Sequence, residues 1–111
     1  MESKNVKIVV FVPESHSEIV RNAMGEAGAG KIGNYTFCSF SSKGLGRFKP
    51  MEGANPTIGK VGILEEVEEE RIEVICERSK LAGIIKAIKT VHPYEEVALD
   101  VYSLEELSSN G

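Results

Sequence analysis

Lys7 to Val12, KIVVFV, is a nearly continuous apolar run rich in β-branched residues, the pattern of a buried strand, and Pro13 stops it. Ser15 and Glu18 have capping-box spacing, and Ile19, Val20, Ala23, Met24 and Ala27 then share one helical face. These signals predict a helix from about Ser15 to Ala27. Tyr35 to Ser41, YTFCSFS, alternates and predicts a second strand. Ser42 to Gly62 carries Gly44, Gly46, Pro50, Gly53, Pro56, Gly59 and Gly62, and reads as a long connection with at most a short hairpin around Arg47 to Lys49. EEVEEE, Glu65 to Glu70, reads as a solvated charged face or loop, whereas RIEVICE, Arg71 to Glu77, alternates as a strand does. Ser79 is placed to cap a helix whose apolar stripe is Leu81, Ile84, Ile85 and Ile88, and which Pro93 ends. VALDVY, Val97 to Tyr102, predicts the last strand, and the polar tail after it is expected to fray.

Strand, short turn and helix thus occur twice, in KIVVFVPESHSEIV and RIEVICERSKLAGII, each followed by another strand. The order implies an α+β, ferredoxin-like βαββαβ sandwich, an antiparallel sheet with both helices on one face. A single domain covers residues 1–111, with a core from about 6 to 104 and a tail from 105 to 111. The uncovered sheet face, with Tyr35, Phe37 and Ile75 expected to point outward, is apolar enough to suggest a homo-oligomer.

The 111 residues include 13 basic and 17 acidic ones, a formal charge of −4 with no basic stripe, which argues against nucleic acid as a partner. The longest apolar run, Ile8 to Val12, is too short to cross a bilayer, and the N-terminus lacks a signal-peptide pattern, so a cytoplasmic protein without membrane partners is expected. Cys38 and Cys76 are expected to be buried reduced thiols. GEAGAGKIG, Gly25 to Gly33, fits parts of two phosphate-loop patterns, but it follows a helix where such loops precede one, and Ile32 stands where Ser or Thr would hold magnesium. A helix C-cap with Gly28 in the left-handed conformation is the better reading.

Chemistry concentrates in HPYEE, His92 to Glu96. His92 and Glu95 are candidate ligands for a divalent metal, with Cys38 as a further donor; the alternative is a structural turn in which His92 caps helix carbonyls and Tyr94 packs on the core. No nucleophile–base pair stands out, so the chain reads as a non-enzymatic protein rather than an enzyme.

GLGRFKPMEGANPTIGKVGILEEVEEERIEVICE, followed by HPYEEVALDVYSL, closely resembles the small domain of the Nif-three-like dinuclear-metal proteins, over about Val6 to Leu104. The HPYE turn also resembles the CutA divalent-ion-tolerance family, whose ferredoxin-like, PII-like architecture forms trimers. The first resemblance implies a stand-alone PII-like module without the larger domains whose His and carboxylate residues bind the two metals. With His16 and His92 as its histidines, the chain does not reproduce that site, which counts against a hydrolase-like enzyme. The motifs single out Arg47, Phe48, Asn55, His92, Tyr94 and Glu95 as candidates for a ligand cleft in a self-associating (dimeric or trimeric) binding or sensing module. A CutA-like metal protein using His92 and Glu95 is the alternative.

Overall fold

Along the chain run β1 (Asn5–Pro13), α1 (Ser17–Glu26), β2 (Phe40–Phe48), β3 (Glu65–Glu77), α2 (Leu81–Val91) and β4 (Leu99–Ser103). A computed structural model describes residues 3–107. All three strand pairings are antiparallel and the sheet order is β2-β3-β1-β4, the βαββαβ topology expected from the two repeated units.

Alternation divides the sheet into two faces. Val6, Ile8, Val10 and Val12 of β1, with Ile72, Val74 and Cys76 of β3, point at the helices and meet Val20 and Met24 of α1 and Ile84 and Ile88 of α2 in the core. The intervening residues, among them Phe11, Glu69 and Arg71, occupy the helix-free face. Arg21 of α1 reaches β3 at the core margin, donating to Glu70 (2.8 Å) and to Ser41 of β2 (3.2 Å). Burial alone would hinder Glu70 from ionising. The hydrogen bond and charge of Arg21 outweigh this and hold its carboxyl below the usual range.

Several boundaries differ from those the sequence suggests. The second strand is not YTFCSFS but FSSKGLGRF. Phe37 takes φ 59°, which interrupts any extended run, and its ring lies against Gly25, while Tyr35 only bridges Ile32 in a tight loop. Tyr35 and Phe37 therefore lie off the sheet, although Ile75 is on its helix-free face. EEVEEE is not a loop; it is the first half of a 13-residue β3. Two of its five glutamates are matched by basic residues across the ladder, with Lys43 opposite Glu70 and Arg47 opposite Glu66, the latter an ion pair at 3.3 Å.

The capping box does not form. One 3₁₀ turn, Glu14–His16, leads into α1, and Ser15 Oγ bonds the ring of His16 instead. A second, Arg78–Lys80, leads into α2, so Ser79 lies inside a turn and Lys80 is the N-cap. At the end of α1, Gly28 (φ 104°) donates to the Gly25 carbonyl and Ala29 to that of Met24, a Schellman motif; the glycine run closes a helix.

Leu104 donates to the Asn5 carbonyl and Glu106 accepts from the Lys4 amide, so the tail stays bonded beside β1 this far; residues 108–111 lie outside the described residues. Both cysteines are free thiols: Cys76 is buried, and burial pushes its pKa up, whereas Cys38 is half-exposed rather than buried. Among the described residues, no helix is long and apolar enough to cross a membrane.

Candidate functional site

A groove of about 720 Å³ opens on the helix-free side of the sheet. Its floor exists because β2 presents Ser42, Gly44 and Gly46 toward this side, leaving backbone where side chains would otherwise stand. A Cβ on Gly46 would run into the Glu69 carboxylate, so the position that carboxylate takes depends on a glycine here. Phe11, Phe48 and Tyr94 supply aromatic surface, with the Phe48 and Tyr94 rings 6.1 Å apart. Pro50, Ala54, Pro56, Thr57 and Ile58 of the loop after β2 form the remaining wall.

Two hydrogen bonds fix that loop to the turn between α2 and β4. The Asn55 amide donates to Glu95 Oε2 at 2.8 Å, and Thr57 Oγ1 donates to the Pro93 carbonyl at 2.6 Å. The glycine–proline stretch and the HPYEE turn are distant in sequence, yet they form a single structure around the groove.

Beneath it, His92 Nε2 lies 2.8 Å from the Phe11 carbonyl and Nδ1 accepts from the Tyr94 amide at 3.1 Å. A carbonyl can only accept, so Nε2 carries the proton and the ring is the neutral tautomer. Burial lowers the pKa of His92, more than the Phe11 hydrogen bond and the nearby Glu69 charge raise it. Tyr94 donates its hydroxyl to Glu69 Oε2 at 2.8 Å. Burial, followed by this bond and the charge of Glu69, raises the Tyr94 pKa well above the usual phenol range. Glu69 itself is only 8% exposed.

No family model matches the chain. Over 98 residues it is 55% identical to a protein of Halalkalibacterium halodurans named GTP cyclohydrolase 1 type 2 homolog, covering 88% of this chain and 26% of that one. Its identity to the Bacillus subtilis protein of the same name is 51% over 100 residues, covering 90% and 27%. A crystal structure of a Bacillus cereus protein related to NIF3 superposes with a TM-score of 0.82 at 53% identity, over 96% of this chain and 27% of that one. The chain is homologous to one segment of NIF3-related proteins. It spans about a quarter of the length of the relatives it matches. The periplasmic divalent cation tolerance protein CutA from Archaeoglobus fulgidus shares the fold (TM-score 0.69, 16% identity), over 96% of this chain and 89% of that one.

Within this NIF3-like segment the candidate residues play unequal parts. Phe48, Tyr94 and Glu95 line the groove. Arg47 lines it too, but from the opposite side of β2, where it pairs with Glu66. Asn55 acts through its backbone amide. His92 lies behind Tyr94 with both ring nitrogens already engaged, which leaves no lone pair for a cation in this arrangement, and Glu95 is occupied by Asn55. Cys38 lies apart, donating toward the Thr36 carbonyl and lining a smaller cleft beside α1. Among the described residues, no group of three His, Cys, Asp or Glu side chains is placed to hold a metal ion. Sequence reasoning missed Glu69, Phe11, Arg71 and the Gly44–Gly46 floor. Period-2 phasing of EEVEEE onto RIEVICE would have put Glu69 on the same face as Arg71 and Glu73.

Proposed function

We propose that this chain is a non-enzymatic, self-associating binding or sensing module that holds a small organic molecule in the groove between β2 and the HPYEE turn. The observation that carries this reading is the pair of hydrogen bonds, Asn55 to Glu95 and Thr57 to Pro93, that fasten the loop over a groove of about 720 Å³, a size usual for small-molecule sites. The lining is that of a binding site: aromatic rings, a few polar groups and one buried carboxylate. Tyr94, the hydroxyl paired with that carboxylate, is shifted away from ionisation, the reverse of an activated nucleophile. The activity in the relatives' name belongs to proteins about four times as long as the matched segment.

Self-association is supported by the two edge strands, β2 and β4, and by Phe40 and Tyr102, large exposed residues at the two edges of the helix-free face. Native mass spectrometry of untagged protein, before and after adding zinc, copper or manganese, tests both parts. A metal-free oligomer carrying a small-molecule mass is expected. A bare monomer contradicts the self-association, and stoichiometric metal uptake that is lost in His92→Ala favours the CutA-like alternative.

A further inference from the structure

Glu69 is the anomaly in the groove. The residue is buried overall, yet only Oε2 has a partner, the Tyr94 hydroxyl, and Oε1 keeps an opening to the groove. Oε1 lies over Gly46, in space that any side chain at that position would fill, and receives no hydrogen bond among the described residues. Arg71 lies two positions further along the same face of β3 and could have neutralised it. Instead its Nε donates to Glu73 (3.3 Å) and its guanidinium stands 5.7 Å from the centre of the Phe11 ring. Of the other cations on the groove wall, Lys43 is directed to Glu14 (3.6 Å) and Arg47 to Glu66 (3.3 Å), while Lys49 makes no ion pair among the described residues, with Glu69 or otherwise. Oε1 is open to the groove but, in a residue only 8% exposed, has little access to water, so a bound group that supplies an N–H is favoured there. Aromatic faces beside the carboxylate favour a cation over a neutral donor.

We propose that the groove takes an organic cation, a protonated amine or amidinium, whose N–H groups are received by Glu69 Oε1 while its apolar body lies against Phe11, Phe48 and Tyr94. The assignment rests on the groove being a ligand site and names the ligand's class. A bare metal ion does not fit: Glu69, Glu95 and Glu96 all line the groove, but among the described residues no three His, Cys, Asp or Glu side chains converge as a metal site needs.

The test uses the full ¹⁵N-labelled chain titrated with three probes that share one ring, benzylamine, benzyl alcohol and benzoate. Benzylamine is expected to shift the amides of Gly44, Gly46 and Tyr94 and to bind at least about tenfold more tightly than benzyl alcohol, as expected for a charge-assisted hydrogen bond. E69Q should erase that preference, whereas E26Q, on the exposed side of α1, should keep it. The ranking of the three probes on wild-type protein decides the question even where E69Q folds poorly. Equal binding of all three at these amides, or tighter binding of benzoate, overturns the cation assignment and leaves the groove a ligand site. Shifts from none of the probes overturn both.

Discussion

Tyr94 and Glu69 depend on each other, and this is measurable at the level of single residues. The chain has three tyrosines and no tryptophan, so ultraviolet absorbance reports phenol ionisation directly. In an alkaline titration one of the three should stay protonated well past the ordinary phenol pKa of about 10, because burial and the Glu69 bond disfavour its anion. Gly46→Ala should fold, displace Glu69 and bring that tyrosine back toward ordinary titration; an unchanged curve would break the link between Gly46, Glu69 and Tyr94. His92 adds an acid-side prediction. Its pKa is held below its ordinary 6.5, so the folded state favours the neutral ring. The stability this contributes is fully present above pH 6.5 and is lost as pH falls through the lower folded-state value. His92→Ala should flatten that slope in denaturant midpoints between pH 7 and 5, and lower stability by about 2 kcal/mol by orphaning the Phe11 carbonyl and the Tyr94 amide. The cluster was legible in HPYEE because polar residues stand out between a helix and a strand. Glu69 was not, since EEVEEE offers five similar carboxylates and only the register against β2 decides which is buried.

At the scale of elements, β1, α1, α2 and the second half of β3 follow from patterns of apolar residues strong enough to specify them. β2 is the opposite case. FSSKGLGRF carries two glycines and few β formers, and it becomes a strand because Lys43 and Arg47 lie opposite glutamates of β3. That is a property of a strand pair, absent from either segment read alone, and it explains why β2 and the acidic half of β3 were misassigned together. Reversing charge at Arg47, as Arg47→Glu, should therefore destabilise by about 1 kcal/mol in low salt, with much of the loss recovered in high salt. Gly28 was readable because left-handed closure of a helix has its own sequence signature. Gly28→Ala should lower the unfolding free energy by about 1 kcal/mol through the strain of φ 104°, without touching the groove.

For the molecule as a whole, the βαββαβ frame brings two distant motifs together and leaves one face of the sheet open. The fold was legible from the repeated strand–turn–helix unit. The groove was only half legible, because its floor is made of absent side chains and its far wall of a loop whose position depends on Glu95 and Pro93. The central claim is that this loop and turn form one small-molecule site. Its most direct test is an amide-resolved NMR screen of the full chain against a library of small fragments. Hits should converge on Gly44, Gly46, Phe48, Thr57 and Tyr94, and should weaken in Glu95→Ala, where the loop loses its tie to the turn. Hits that scatter over the surface, or that gather at the smaller cleft by α1 and leave these amides unmoved, would contradict it.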